Sequence, residues 1–275
     1  MKHIKDLVSY NELLKKAKKG KGAININCFL LPDDIQQAID EDSLTFVEND
    51  AGICIYINRK LFYQLYLLVN PKVEFVIEKL DLPIVCEFPG VSVLPDKCLR
   101  TIEILKSGGF VRSSSTKRMS MCYQPDSSKV VDTSKLNYMI VPAKEHHAEA
   151  IIWLWEQTFD PCINLLPDKS KLLQEIAKEN VLCAIDEDGE LLGVLQGEFG
   201  KSKAMIWHEA VHPKARGKKI GHALSQAYFD KAYQMDIKSH QLWVVLENEG
   251  SINFHAKFGY EYDGRFSEQY RLSND

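Results

Sequence analysis

The sequence predicts an α/β (α+β) fold in two domains, with antiparallel strand hairpins alternating with amphipathic helices. Three observations carry that expectation. At 275 residues the chain is long for one compact domain and comfortable for two. Strand-like runs joined by turn residues alternate with helix-like runs along its whole length. A stretch rich in Ser, Asp and Lys, QPDSSKVVDTSK at 124–135, separates two strongly patterned blocks. The expected division is therefore 1–123, a linker at 124–135, and 136–275.

In the first block, residues 9–19 read as a helix. PDDIQQAID (32–40) reads as a short helix, with Pro at its start and Asp in its first turn. SLTFVEN (43–49), GICIYIN (52–58) and YQLYLLVN (63–70) are separated by the turn sequences NDAG and NRK, which predicts an antiparallel meander. VEFVIEKL (73–80) is read as a short helix and PIVCEF (83–88) as a strand. CLRTIEILKSGGF (98–110) is read as a helix ended by a glycine pair.

In the second block, LNYMIVPA (136–143) reads as a strand, then HHAEAIIWLWEQTF (146–159) and KSKLLQEIAKE (169–179) as helices. VLCAIDEDGELLGVLQGEF (181–199) is a strand, a DEDG turn and a second strand. MIWHEAVH (205–212) is a strand, HALSQAYFDKAYQMD (222–236) a helix and QLWVVLE (241–247) a strand. SINFHAKFG (251–259) is a helix closed by Gly259, and YEYDGRFSEQYRL (260–272) is strand material. The two blocks share this element order, which suggests an internal duplication of architecture without residue-by-residue likeness.

Composition narrows the function classes. A formal net charge of −4 argues against bulk nucleic-acid binding, which needs a concentrated positive field. The seven cysteines are odd in number and none has CxxC spacing, which suits reduced thiols better than a disulfide framework. The opening MKHIKDLVSYNELLKKAKKG has no apolar core of signal-peptide length, and no window reaches a membrane-spanning apolar run. The expected location is the cytoplasm, with neither membrane nor nucleic acid as partner. The lysines from Lys15 to Lys21 read as a solvated helix end.

The chemistry concentrates in Val211-His-Pro-Lys-Ala-Arg216-Gly217-Lys218-Lys219-Ile220-Gly221-His222. This stretch joins a strand end to a helix start through two glycines and four cations. Such a loop points backbone N–H groups at an anion, and the helix N-terminus adds partial positive charge. Glycine lets the backbone come close to a pyrophosphate. Thirty residues on, Asn248-Glu-Gly-Ser251-Ile252-Asn253-Phe254-His255-Ala-Lys257-Phe258-Gly259-Tyr260 forms a loop, a short helix and a glycine stop.

Together the two stretches resemble the GNAT family of N-acetyltransferases. That family places an Arg/Gln-x-x-Gly-x-Gly/Ala loop after a strand ending in Val, and later an Asn-x-x-Ala-x-x-x-Tyr-x-x-x-Gly-Phe segment. The resemblance covers the C-terminal half and implies a twisted, mixed, mostly antiparallel sheet flanked by helices. It implies acetyl-CoA as co-substrate, no metal, and direct attack of a primary amine within a ternary complex. Arg216, Gly217, Lys218, Lys219, Ile220, Gly221 and His222 would hold the pyrophosphate. Glu209, Ala210 and Val211 would pair with the pantetheine arm as an added strand does. Asn248 and Asn253 fall where the family contacts that arm.

The chain departs from the family at two positions. Lys219 stands where the first motif glycine is usual, and His255 stands where a tyrosine often protonates the leaving thiolate. Histidine is a competent acid below neutrality, and above it only if an acidic neighbour raises its pKa. Glu209, or else His208, is the candidate base for the incoming amine. The acceptor is open: a small-molecule amine or a peptide N-terminus both fit, and the acidic balance leans towards a cation.

Two other readings remain in play. One is an acyl-CoA-binding or regulatory protein that has lost turnover. The other is a zinc hydrolase, because His208-Glu209-Ala210-Val211-His212 is a literal HExxH. That motif needs a helix, and Pro213 disfavours one. In a strand the two histidines stand about 13 Å apart, beyond the reach of one zinc.

His146-His147 opens a helix and is read as solvent-facing. Trp153 and Trp155 sit two apart on a helix, so at most one points into the core. The first block repeats the element order without the phosphate loop, since Asn-Pro-Lys-Val-Glu-Phe-Val-Ile follows its strand ending at Val69. Its closing helix and Gly109-Phe110 are similar to the family's closing segment. It is therefore read as a degenerate GNAT-like domain with no coenzyme A site.

Overall fold

The computed structural model describes residues 1–125 and 137–273, so most of the 124–135 stretch lies outside the described residues. The chain divides into two compact units, Met1–Thr116 with Gly264–Asp275, and Lys117–Asp263. Each unit is a mixed, mostly antiparallel sheet flanked by helices.

The N-terminal unit contains β1 (Lys2–His3), α1 (Leu7–Lys21), β2 (Ile24–Asn25), α2 (Pro32–Asp40), β3 (Leu44–Asn49), β4 (Gly52–Asn58), β5 (Tyr63–Val69), β6 (Ile84–Val91) and α3 (Asp96–Ser107). The first half of β7 (Val111–Cys122) and most of β13 (Glu261–Leu272) also belong to it. The Asp6 side chain caps α1 by accepting from the Ser9 N–H at 2.7 Å, and Gly22 ends the helix in the left-handed region. The NDAG and NRK turns close β3, β4 and β5 into the expected antiparallel meander. β5 is buried along its whole length, with Leu65, Leu67 and Val69 in one core and Tyr66 and Leu68 in the other. That two-sided burial explains why YQLYLLV is apolar at every position but Gln64.

VEFVIEKL is not a helix. Phe75 and Ile77 are buried while Val76 is 76% exposed, an alternation of period two that places the segment extended along the core.

The C-terminal unit contains β8 (Tyr138–Pro142), α4 (Ala148–Glu156), α5 (Lys169–Ala177), β9 (Val181–Asp186), β10 (Leu191–Phe199), β11 (Lys203–Val211), α6 (Ile220–Gln234), β12 (Ser239–Val245) and α7 (Glu249–Ala256). Its strands run in the order β8-β9-β10-β11-β12, antiparallel except for the parallel pair β11–β12. One sheet face packs on α6 through Leu195, Ile206, Leu224 and Phe229. The other packs on α4 and α5 through Val194, Ala210, Trp155 and Leu172. Two glycines of β10 seat α6 closely. A Cβ at Gly193 would stand 2.8 Å from Ile220, and one at Gly197 would stand 2.1 Å from the Tyr228 ring. Among the described residues no helix is long and apolar enough to cross a membrane.

Candidate active site

The site grows from a strand pair that begins together and parts. β11 and β12 pair in parallel from Lys203–Ser239 to Ile206–Leu242, and β11 then runs on to Val211 and β12 to Val245. On its other side β11 stays paired with β10, but the register shifts. Ile206 faces Gly197 and His208 faces Gln196, so Trp207 is the extra residue of a β-bulge. A bulge bends its strand and increases its twist. The result is a gap beside residues 207–211 of β11, whose backbone edge β12 does not use.

The loop after β11 opens on the same end of the sheet. The His212 side chain accepts from the Lys214 N–H, and Pro213–Ala215 form a 3-10 turn with Ala215 buried beneath it. Gly217 and Lys219 then adopt positive φ, 80° and 62°. Lys219 is the N-cap of α6, and no side chain caps the helix. The N–H groups of Ile220, Gly221 and His222 therefore begin the helix without intrahelical acceptors. Lys214, Arg216, Lys218 and Lys219 are exposed around them, and the first turn of α6 holds no acid. The Tyr138 hydroxyl donates to the Lys218 carbonyl at 3.2 Å and ties the loop to β8.

The structure explains the unusual lysine. Position 219 needs the left-handed backbone that glycine adopts freely, so Lys219 keeps the loop geometry at a cost of about 1–2 kcal/mol. His222, in the first turn of α6, packs against the Phe254 and Phe258 rings. Burial and the nearby Lys257 and Lys219 push its pKa down, which keeps the ring neutral.

Glu209 reaches from β11 to the first turns of α6. Ser225 Oγ donates to its carboxylate, with 3.2 and 3.3 Å to the two oxygens. A Cβ at Gly221 would stand 3.2 Å from Glu209 Oε1 and 3.2 Å from the Phe254 ring, so these three residues meet in one place. Burial raises the Glu209 pKa to about 8, and the Ser225 hydrogen bond opposes this more weakly. The residue nevertheless keeps a partly exposed edge.

On α7, Asn248 caps the helix by accepting from the Ser251 N–H at 3.0 Å, and Asn253 is exposed. His255 is buried, with Nδ1 unpartnered, between Phe254 and Tyr260. Burial pulls its pKa down to about 4, so the ring is uncharged at neutral pH. Ala210 faces the α4–α5 core, and Val211 packs partly against the α6 core.

His208 points to the sheet face opposite Glu209. Its Nδ1 lies 2.8 Å from Gln196 Oε1, and its ring packs on Trp155 and Phe159. Burial lowers its pKa to about 4. His212 instead stacks on Trp153 with ring centroids 5.6 Å apart. The HExxH residues thus lie on and just after a strand and serve separate packing sites. Among the described residues no group of three His, Cys, Asp or Glu side chains is placed to hold a metal. Trp155 is the buried tryptophan of α4 and Trp153 the exposed one, while His147 is buried rather than solvent-facing.

Sequence reasoning missed Ser225 and Trp207. Ser225 lies one helical turn beyond Gly221 and so on the same face of α6, a signal that gains meaning only once Glu209 is known to face that helix. Trp207 carries no local mark, because the bulge is set by pairing with β10.

Residues 147–260 match the acetyltransferase (GNAT) family. A GCN5-related N-acetyltransferase from Sphaerobacter thermophilus superposes with a TM-score of 0.58 at 14% identity, covering 96% of this chain and 91% of that one. A tandem GNAT protein from the clavulanic acid biosynthesis pathway gives 0.57 at 12% identity, covering 96% and 93%. A GCN5-related glucosamine N-acetyltransferase region of a fungal multi-domain GH3 β-N-acetylglucosaminidase gives 0.58 at 14% identity, covering 80% of this chain and 31% of that one. At such identities these likenesses are ones of fold.

Proposed function

Since residues 147–260 form a domain of the GNAT acetyltransferase family, an acyltransferase family that uses acyl-CoA, we propose that this chain moves an acetyl group from acetyl-CoA to a primary amine. The observation that carries this reading is the conjunction of an open β11 edge with an uncapped, cation-ringed helix start immediately after it. One end of that pair suits an extended amide-bearing arm, and the other suits its pyrophosphate.

In this reading Arg216, Gly217, Lys218, Lys219, Ile220, Gly221 and His222 hold the pyrophosphate through backbone N–H groups and charge. Glu209, Ala210 and Val211 offer the strand edge, and Asn248 and Asn253 flank the arm from α7. The amine attacks the thioester carbon, the C–N bond forms and the C–S bond breaks. Glu209, ionised, takes the proton that the amine releases and returns it to the departing thiolate, giving an amide and a free thiol. A raised pKa suits this two-way role, because acid–base catalysis works best when the group's pKa lies near the working pH. His255, neutral, contributes a hydrogen bond from its ring N–H to the sulfur rather than an acidic proton.

The acceptor is proposed to be a small-molecule amine or a peptide N-terminus. It approaches the face where Trp207, 49% exposed, donates its indole N–H to Glu198 at 2.9 Å. An aromatic ring beside a carboxylate favours a cationic amine. The chain is further proposed to be a tandem protein; the sequence expectation of 1–123 and 136–275 gives way to the two compact units, so that Met1–Thr116 with Gly264–Asp275 forms the GNAT-like domain without a cofactor loop and Lys117–Asp263 the active domain.

The neutral His255 favours one rival, an acyl-CoA-binding protein without turnover. Two measurements separate the possibilities. Acetyl-CoA at a hundred times its dissociation constant stabilises the native state by about 2.7 kcal/mol, a rise of several degrees in Tm. That rise is expected in the wild type and absent in Gly221→Asp, which plants a carboxylate in the phosphate loop. No rise at millimolar acetyl-CoA sinks the acyltransferase reading. A rise without thiol release across a panel of primary amines favours the binding protein.

A further inference from the structure

The N-terminal unit contains the same parting strand pair. β5 and β6 pair in parallel from Tyr63–Ile84 to Leu65–Cys86, and β5 then continues to Val69 and β6 to Val91. The pattern matches β11 and β12, whose parallel pairing likewise stops part-way along both strands. In the C-terminal unit no described strand enters the gap. In the N-terminal unit a segment of the unit's own chain does.

That segment is Ile24–Asn27. β2 pairs antiparallel with the far half of β5, placing Ile24 opposite Val69 and Asn25 opposite Leu68. The Ile26 N–H donates to the Leu67 carbonyl at 3.0 Å, which extends the ladder by one more bond. Asn27, 3% exposed, completes the filling with its side chain. Its Oδ1 accepts from the Leu67 N–H at 2.8 Å. Its Nδ2 lies 3.2 Å from the Leu65 carbonyl of β5 and 3.0 Å from the Glu87 carbonyl of β6, donating towards both strands. One primary amide thus bridges the two parted strands. On the segment's other side, Cys98 Sγ donates to the Ile26 carbonyl and Lys97 to the Asn25 carbonyl, which fastens it to the start of α3.

We propose that Ile24–Asn27 fills the N-terminal counterpart of the acyl-CoA gap, with the Asn27 amide standing where an amide of the pantetheine arm would pair, so that the chain holds acyl-CoA only in its C-terminal unit. This rests on reading the β11–β12 gap as the acyl-CoA cleft. The chemistry of the two occupants is alike, since both are extended, amide-bearing chains that satisfy a strand edge. A cofactor entering the N-terminal gap would have to displace β2 and break every bond that Asn27 makes. It would also find no anchor, because residues 70–83 after β5 contain no helix. A buried strand edge left unpaired is strongly disfavoured, so the segment has no cheap way out.

Calorimetric titration of the full chain with acetyl-CoA is expected to give one site per chain, and Gly221→Asp is expected to give none. Two sites in the wild type, or one surviving in Gly221→Asp, overturns the proposal. No binding to the wild type overturns the reading of the β11–β12 cleft on which it rests, so the two failures are distinguishable. Hydrogen exchange locates the effect. Acetyl-CoA is expected to slow exchange in peptides spanning 204–226 and to leave 22–30 and 63–70 unchanged. Slowing at 63–70 overturns the proposal. Asn27→Ala removes the bridge and is expected to speed exchange at the Leu67 amide at least tenfold while the stoichiometry stays at one. An unchanged Leu67 rate would show that Asn27 does not close the gap.

Discussion

Replacing Glu209 by Gln keeps the side chain's size and its place beside Ser225 but removes its charge. In the native state burial raises the Glu209 pKa from 4.5 to about 8. The unfolded chain loses this proton near 4.5, whereas the native chain holds it until about 8. Between those values the native state binds more protons, so stability present at low pH is lost as pH rises towards 8. At 1.36 kcal/mol per pH unit the full penalty is roughly 5 kcal/mol. The residue keeps a partly exposed edge, and water there relieves part of this, leaving a working figure of about 2 kcal/mol at pH 8.

Glutamine does not titrate. Glu209→Gln should therefore match the wild type below pH 4.5 and grow steadily more stable than it above pH 5. Near pH 8 the difference should reach a Tm gain of roughly 4–8 °C. Thermal melts of both proteins from pH 4.5 to 9 read it directly, and the gap should level off once the native carboxyl ionises. A Tm difference independent of pH, or a variant less stable than wild type at pH 8, refutes the burial argument. The same variant tests the chemistry. Loss of a general base lowers turnover by about 10²–10⁴-fold and removes the rise in rate towards pH 8. A stabilised variant with wild-type turnover would keep the electrostatics and remove Glu209 from the mechanism.

Three further outcomes are expected. His255→Gln should leave the shape of the pH–rate profile between pH 6 and 9 unchanged, because burial already holds the ring neutral there. A limb in that range that disappears in the variant would show that the ring titrates. Gly197→Ala should lower Tm by several degrees, since its Cβ would stand 2.1 Å from the buried Tyr228 ring and overpacking of this kind costs about 1–3 kcal/mol. An unchanged Tm would mean that α6 is not seated on β10 as described. Lys219→Gly should raise Tm by a few degrees, because the left-handed backbone there costs lysine about 1–2 kcal/mol and glycine nothing comparable. A lower Tm would show that the lysine side chain makes a stabilising contact outweighing its backbone strain.

What the sequence disclosed divides along the range of the forces involved. α2, the β3–β4–β5 meander and the β9–β10 hairpin were legible because Pro32, NDAG and DEDG act within a few residues. The loop from Val211 to His222 was legible as a strand end, a turn and a helix start for the same reason, being one contiguous stretch. β7 was passed over because RSSSTKRMS is polar, and its strand state depends on sheet neighbours rather than on an apolar alternation. β2 is two residues long, and only the distant edge of β5 makes it a strand. VEFVIEKL misled because its charges fall at helical spacing while its buried residues fall at spacing two. Within the site, residue types could nominate Glu209 and His255 but could not give their pKa values. Those follow from how much protein crowds each group, and crowding is set by α6 and α7 packing against β11.

The two parted strand pairs show why one gap is filled and the other stays open. Every residue of β5 is buried, so the N–H and carbonyl groups on its free edge have no route to water. Backbone groups in that position must find partners within the protein, and Ile24–Asn27 is the segment that supplies them. β11 instead alternates between buried and exposed positions, and its bulge turns Trp207 outward. Trp207 is 49% exposed and Trp243, the next residue of β12 past the last pair, is 38% exposed. Water can reach this edge and satisfy it. The openness of the C-terminal gap is therefore stable without a ligand, whereas an empty N-terminal gap would not be. A bulge in one strand and an asparagine in the other unit are enough to leave one parted strand pair open and to close the other.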